Sequence, residues 1–287
     1  MRRIHEFHVD STRYLDDHGR PLAELPPQAE NIDRGLDAYR NMVLTRTFDA
    51  KAIALQRTGK CGTYPSVLGH EVVGTAIGQS MAKSDVFVPY YRDQASHILR
   101  GVSLTELLLY WGGDERGSAW KNCPEDLPIS VPIATQCCHA MGVAAAMKIR
   151  DQSRAVVCCI GDGGTSKGDF LESINLAGAW HLPVVFVVIN NQWAISSFHG
   201  IAAGEGETFA ARGVGYGLAT LRVDGNDFLA VYAATRWAAE RARKGGGATV
   251  IEHYTYRMEG HSTSDDPTKY RPLEEPDAWP YGDPIKR

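Results

Sequence analysis

The chain has 287 residues, 44% of them hydrophobic and 22% charged, with a formal net charge of −4 at pH 7. This is ordinary globular usage, and a length prior of about 150 residues per domain gives one large α/β domain or two smaller ones, with room for a core that needs no disulfides. No basic stripe is present, which argues against nucleic acid, and the longest apolar runs, Ala155 to Ile160 and Val184 to Ile189, fall well short of the ~20 residues that cross a bilayer.

The opening Met1-Arg2-Arg3-Ile4-His5-Glu6 lacks the apolar centre of a signal peptide. The cysteines include two adjacent pairs, Cys137-Cys138 and Cys158-Cys159, and none is spaced C-x-x-C. Neighbours in a strand point to opposite faces, so these pairs read as small core residues and not as a disulfide framework or zinc site. The expectation is a reduced, cytoplasmic protein.

Residues 1–30 read as an irregular N-terminal extension, with a turn at Asp16-Asp17-His18-Gly19 and a break at Pro26-Pro27. Residues 31–287 read as a single α/β domain. From Ile32 to Thr58, Leu36, Tyr39, Met42, Val43, Phe48, Ile53 and Leu55 recur at helical spacing, and Gly59 ends the run. A second helix starts near Gly69. Ser103-Leu104-Thr105-Glu106 is a capping box that opens a third helix. Gly112 to Pro128 reads as a loop, and Ala134 to Lys148 as a buried helix.

The centre is more informative. Arg154 to Ile160 has the continuous apolar character of a strand buried on both faces of a parallel sheet. Gly161-Asp162-Gly163-Gly164 is a turn, Asp169 to Trp180 a helix, and Val184 to Ile189 a second buried strand, completing a βαβ unit. The pattern repeats with a strand at Thr220 to Val223, a helix at Phe228 to Lys244 and a strand at Thr249 to Tyr254. Alternation of this kind predicts an α/β fold, a mostly parallel sheet flanked by helices on both faces. The tail from Arg257 to Arg287 is polar and Pro-rich with no clear element.

Ligands bind at the carboxyl ends of strands in such sheets. Asp162 follows the first strand of the βαβ unit and Asn190-Asn191 follow the second, so one crossover brings Asp162 and Asn191 to face a common point. A carboxylate and a carboxamide are hard oxygen ligands suited to magnesium or calcium. Gly161, Gly163 and Gly164 allow close backbone approach, and the helix after them offers N–H groups to an anion. A metal–diphosphate site fits this set; an ordinary turn with capping asparagines also fits it. Other phosphate motifs fit poorly, since no Gly-Lys-Ser/Thr exists and Ser166 occupies the third dinucleotide-fingerprint glycine. One rival is a serine hydrolase. Gly164-Thr165-Ser166-Lys167-Gly168 matches G-x-S-x-G, with Asp224 and His253 or His261 following in hydrolase order.

Several ordered blocks carry a family resemblance. They are Tyr91-Arg92-Asp93-Gln94, Ile129 to Gln136, Gly161-Asp162-Gly163, Asn190-Asn191-Gln192-Trp193-Ala194-Ile195-Ser196, and Tyr256-Arg257 through His261-Ser262-Thr263-Ser264-Asp265-Asp266. In this combination the chain resembles the alpha subunit of the thiamine diphosphate-dependent first component of 2-oxo acid dehydrogenase complexes, from about Tyr14 to the end. The resemblance implies the thiamine diphosphate-binding fold. It also implies oxidative decarboxylation of a 2-oxo acid, with the acyl group passed to a lipoyl domain. A beta subunit would be the partner supplying the activating glutamate, so the isolated chain is expected to be inactive.

Residue by residue, the resemblance implies magnesium on the side chains of Asp162 and Asn191 and on the carbonyl of Trp193. Gly161, Gly163 and Gly164 would lie against the diphosphate, with Tyr91 and Arg92 holding it from the other side. Val131 and Ile133 would touch the aminopyrimidine. Ser130, Pro132 (carbonyl), Thr135 and Gln136 match positions that bind potassium in branched-chain relatives. His261 would lie near the cofactor, binding phosphate or assisting proton and acyl transfer, and Ser262 matches a position phosphorylated in mitochondrial relatives.

Three departures stand out. Ile189 replaces a residue that is charged in some relatives. The stretch from Gly112 to Pro128 is shorter than in mitochondrial branched-chain relatives. The chain ends at Ile285-Lys286-Arg287, where the resemblance implies further helices. Residues 14–195 look more like bacterial pyruvate dehydrogenase alpha subunits and residues 196–287 more like branched-chain enzymes, giving a slight preference for pyruvate. An acetoin-type thiamine diphosphate enzyme and a non-catalytic partner that keeps the fold are the other readings.

Overall fold

A computed structural model describes residues 6–287; Met1 to His5, most of the stretch that argued against a signal peptide, lie outside the described residues. The chain begins with a two-residue strand, β1 (Ser11–Thr12), and the long helix α1 (Ile32–Arg57), whose first turn is capped by the Asn31 side chain. Helix α2 (Glu71–Ser80), strand β2 (Val86–Val88) and helices α3 (Gln94–Arg100) and α4 (Leu104–Trp111) follow. Helix α4 opens on the expected box, with Ser103 accepting from the Glu106 N–H and Glu106 accepting from the Ser103 N–H. After α5 (Thr135–Ile149) come β3 (Val156–Gly161), a 3-10 turn over Asp162–Ser166, α6 (Gly168–Ala179) and β4 (Val184–Asn190). A short hairpin, β5 (Trp193–Ala194) and β6 (Ser197–Phe198), leads through α7 (His199–Ala203) and α8 (Ala211–Val214) into β7 (Ala219–Asp224), α9 (Phe228–Arg243) and β8 (Thr249–Tyr254).

The main sheet has six parallel strands in the order β1-β7-β8-β4-β3-β2. Every residue of β4 is buried, as a strand covered on both faces requires. Alternate side chains divide between two cores. Val157, Cys159, Val185, Val187 and Ile251 pack with α2 and α9 on one face. Val156, Cys158, Ile160, Phe186 and Val250 pack with α5 and α6 on the other. The Cys158-Cys159 pair thus splits between the faces, and the cysteines are free. A third cluster around Phe48, Tyr64, Leu107 and Trp120 seats α1 and α4.

Several features differ from the sequence reading, among them β2 and α3, which it did not include, so that the helix expected third is α4. Ser11 and Thr12, within the stretch expected to be irregular, pair with Arg222 and Val223 at the sheet edge; two residues are too few to show a period. On α1, Leu36, Tyr39 and Val43 are exposed, while Ala38, Asn41, Thr45, Asp49 and Ala52 face inward beside Met42 and Phe48. Two of the inward polar groups are satisfied, Asn41 Nδ2 donating to Thr75 Oγ1 at 2.8 Å and Asp49 accepting from Ser66 Oγ at 2.6 Å and the Val67 N–H at 2.8 Å, whereas the Thr45 hydroxyl is buried without a partner.

Candidate functional site

The carboxyl ends of β3 and β4 lie side by side, Gly161 pairing with Ile189, so the residues that follow them emerge together. They open into a cavity of about 220 Å³. Its wall contains Tyr91, Arg92, Ser130, Val131, Pro132, Ile133, Gln136, Gly161, Asp162, Gly163, Gly164, Asn191, Trp193 and His261. All the residues expected at a metal–diphosphate site therefore converge, although they come from five separate stretches of chain. Thr135, at the start of α5, faces a second opening together with Ser130, Pro132 and Gln136.

Local packing fixes the glycine turn. Asp162 Oδ1 accepts from the Gly163 N–H at 2.8 Å, and Thr165 Oγ1 donates to the Asp162 carbonyl at 2.6 Å. A Cβ on Gly163 would stand 2.5 Å from Ala194 Cβ, and one on Gly164 would stand 2.7 Å from Ile160 Cγ1. Only glycine leaves the backbone this close to its neighbours. Asp162 is 3% exposed, and its Oδ2 is buried with no partner. Burial pushes its carboxyl up to about 6, against the opposing pull of the Gly163 N–H.

Across the cavity, Asn191 Oδ1 accepts from the Trp193 N–H at 3.3 Å. The Trp193 indole donates to Glu275 Oε1 at 2.6 Å, and its carbonyl accepts from Arg257 at 3.1 Å. Arg92 is buried, donating to the carbonyls of Ser66 and His261. Val131 and Ile133 are about half exposed, at 51% and 45%, on the open side.

His261 lies between two guanidinium groups, its Nδ1 3.2 Å from Arg257 Nη1 and 3.5 Å from Arg92 Nη2. Facing two obligate donors, Nδ1 acts as acceptor and the ring proton sits on Nε2. Burial and these two cations hold the imidazole down at about 4, so it is neutral at pH 7. The His261 N–H donates to Asp265 Oδ2 at 2.6 Å, fixing the loop.

Sequence reasoning assigned no role to Arg257. It is fully buried, donates to the carbonyls of Trp193 and Ile195, and is pushed down to about 10 by burial and by Arg92. Its signal was available, because it follows β8 at a third strand end. The hydrolase arrangement is not assembled. Ser166 is exposed at the end of the turn, Asp224 pairs with Arg13 and Arg287, and both nitrogens of His253 are buried in β8 without a partner. The strand runs through Gly161, so no nucleophile elbow forms.

A parallel sheet whose strand ends carry a glycine turn, a buried carboxylate and a carboxamide defines a nucleotide- or diphosphate-type binding domain. More specifically, the chain belongs to the dehydrogenase E1 component family, whose model matches residues 39–287. It is 43% identical over 287 residues to the 2-oxoisovalerate dehydrogenase subunit alpha of Pseudomonas aeruginosa, covering 96% of this chain and 69% of that protein. It is 43% identical over 253 residues to the pyruvate dehydrogenase E1 component subunit alpha of Acholeplasma laidlawii, covering 88% of this chain and 73% of that one. To the 3-methyl-2-oxobutanoate dehydrogenase subunit alpha of Mycobacterium tuberculosis it is 41% identical over 251 residues, covering 87% and 68%.

The family implies thiamine diphosphate as cofactor and a beta subunit as partner. The residues present fit that group: Asp162 Oδ2 is a buried acceptor without a donor, and the turn beside it keeps bare backbone at the cavity wall, where a Cβ at Gly163 or Gly164 would collide with Ala194 or Ile160. Among the described residues no helix is long and apolar enough to cross a membrane.

Proposed function

We propose that the chain is the alpha subunit of an E1 component that oxidatively decarboxylates a 2-oxo acid in the cytoplasm and passes the acyl group to a lipoyl domain. Pyruvate is the first candidate and a branched-chain 2-oxo acid the second. The single observation that carries this reading is the unpartnered Asp162 oxygen in a cavity wall shared with Gly163, Gly164, Asn191 and Trp193. A metal ion bound there satisfies an acceptor that is otherwise costly to bury.

Bound thiamine diphosphate supplies the electron sink that decarboxylation requires. Within this chain, the Asp162 and Asn191 side chains and the Trp193 carbonyl would hold magnesium, a hard oxygen set suited to that ion. The Gly161 to Gly164 turn admits the diphosphate against backbone N–H groups, and Tyr91 and Arg92 close on it from the opposite wall. Val131 and Ile133 support the aminopyrimidine, and their exposed side leaves room for the beta subunit to complete the cavity. His261, neutral with its proton on Nε2, donates to a phosphate or carboxylate oxygen or moves that proton during acyl transfer. Gln136 Oε1, buried without a partner, together with the Ser130 hydroxyl, the Pro132 carbonyl and Thr135, forms the set that holds potassium beneath the head of α5.

The test is dye-linked oxidation of pyruvate and of 3-methyl-2-oxobutanoate by the chain co-purified with its beta subunit, with and without magnesium thiamine diphosphate. Cofactor-dependent turnover is expected, and the ratio of the two rates assigns the substrate. Asp162→Ala abolishes that turnover; full activity in this variant, or turnover by the isolated chain, refutes the reading. No turnover with either acid favours acetoin-type chemistry on the same cofactor.

A further inference from the structure

Strand β8 carries a carboxylate that the site described above does not use. Glu252 is 0% exposed, at the centre of the sheet, opposite Val188 of β4 and Arg222 of β7. A buried carboxylate persists only where donors satisfy it. Its nearest cation, Arg222 Nε, stands 4.0 Å away, and that guanidinium lies over the Tyr254 ring and donates to the Glu207 carbonyl. The donors of Glu252 are instead two flanking segments. Oε1 accepts from Asn190 Nδ2 at 2.7 Å. Oε2 accepts from the Ala210 N–H at 3.1 Å and from the Thr208 hydroxyl.

Asn190 passes this constraint to the cavity. With Nδ2 committed to Glu252, its Oδ1 accepts from Gln192 N and from Gln192 Nε2, each at 3.2 Å. Gln192 has a φ of 74°, a left-handed conformation that costs a non-glycine residue about 1 kcal/mol and so needs fixing from outside. That turn alternates the chain: Asn191 and Trp193 line the cavity, and Asn190 and Gln192 are buried behind it. On the other side, Thr208 and Ala210 end the segment that includes α7, which packs against the Asp162–Ser166 turn. Arg212 reinforces the contact by donating to Thr165 Oγ1 and to the Ala202 carbonyl.

We propose that Glu252 is a positioning residue for the metal–diphosphate site. It locks the Asn190 amide, and with it the left-handed turn that presents Asn191 and Trp193, and ties that turn to the 199–211 segment packed on the glycine turn. The inference rests on the reading of the cavity given under Proposed function. Glutamine cannot replace it. One end of a glutamine amide is always a donor, and it would face either Asn190 Nδ2 or the Ala210 N–H. Reversing the Asn190 amide to accommodate it would set Nδ2 against the Gln192 N–H.

The experiment is calorimetric titration of thiamine diphosphate into the complex of this chain with its beta subunit, at stepped magnesium concentrations, for wild type, Glu252→Gln, Asn190→Ala and the double variant. The magnesium midpoint is expected to rise about tenfold or more in each single variant, the scale seen when support of a metal ligand is lost. Because both substitutions act through one contact, the double variant is expected to stay within about threefold of the worse single variant. A general loss of stability would instead lower the melting midpoint of the cofactor-free complex and leave the magnesium midpoint in place. Unchanged magnesium midpoints, or effects that multiply in the double variant, overturn the positioning role. Where Glu252→Gln gives no folded complex, Asn190→Ala decides alone, since it leaves the carboxylate its contacts with Thr208 and Ala210. Failure of the wild-type complex to bind thiamine diphosphate with magnesium overturns the reading of the cavity and this inference with it.

Discussion

Gly163→Ala is the substitution whose effect follows most directly from the geometry. The added Cβ would stand 2.5 Å from Ala194 Cβ, where two carbon atoms settle at about 3.5–4.0 Å, so one side must move by about 1 Å. Ala194 cannot recede freely. The preceding residue, Trp193, is held by Glu275 through its indole and by Arg257 through its carbonyl. Overpacking of this kind costs about 1–3 kcal/mol, and at about 2 °C per kcal/mol for a chain of this size the melting midpoint should fall by a few degrees. Binding should suffer more. A 1 Å displacement of positioning groups can cost about a hundredfold, so affinity for thiamine diphosphate with saturating magnesium should drop at least about tenfold. Calorimetric titration reads the affinity and scanning calorimetry the midpoint. Gly168→Ala serves as the control, because its Cβ meets only Glu172 Oε1 at 3.7 Å, an ordinary contact, at the start of α6. Wild-type affinity in Gly163→Ala would refute the claim that this turn is the cradle.

Three further outcomes are expected. Arg243→Leu removes the buried ion-pair partner of Asp85, whose side chain is fully buried beside the Ala155 N–H, and should destabilise the fold by about 3 kcal/mol, read from denaturant midpoints. His253 is pushed down to about 3 by burial, so the unfolded chain binds its proton first as the pH falls below 6.5. Stability from this group is complete above pH 6.5 and declines towards pH 3. His253→Leu should flatten the fall of the melting midpoint between pH 6.5 and 4, and an unchanged slope would exclude His253 as a contributor. Glu275→Gln keeps an acceptor for the Trp193 indole, whereas Glu275→Ala removes it. Only the alanine variant is expected to weaken thiamine diphosphate binding, about fivefold to tenfold.

The parallel sheet was legible because Val156 to Ile160 and Val184 to Ile189 are apolar without alternation, which only a doubly covered strand permits. The edge pairings of Ser11 and Val86 were not, since strands of two or three residues show no period. The inward face of α1 was misleading, because it buries Asn41, Thr45 and Asp49 and exposes Leu36, Tyr39 and Val43. The partners of Asn41 and Asp49, which are Thr75, Ser66 and Val67, lie on other segments and leave no local trace. Asp162 and Asn191 were readable as polar residues at strand ends. The division of labour within Asn190-Asn191 was not. The two are alike in sequence, and only Glu252, which reaches them from β8, turns Asn190 inward. Arg257 was quoted within a motif, but its function as a clamp on the Trp193 and Ile195 carbonyls depends on a tertiary crossing.

The strand order has a kinetic consequence. Strand β8 pairs with β4 on the side away from β3, and His261 of the cavity wall and Arg257 behind it both follow β8. During synthesis the β3–β4 crossover can pair early, yet Trp193 gains its guanidinium partner only after β8 and Arg257 have emerged. Long-range parallel pairings of this kind close slowly. Thiamine diphosphate therefore selects finished molecules, and at a hundred times its dissociation constant it would add about 2.7 kcal/mol to their stability. Added cofactor is thus expected to raise the resistance of the folded protein to proteolysis, which limited digestion with and without thiamine diphosphate would read.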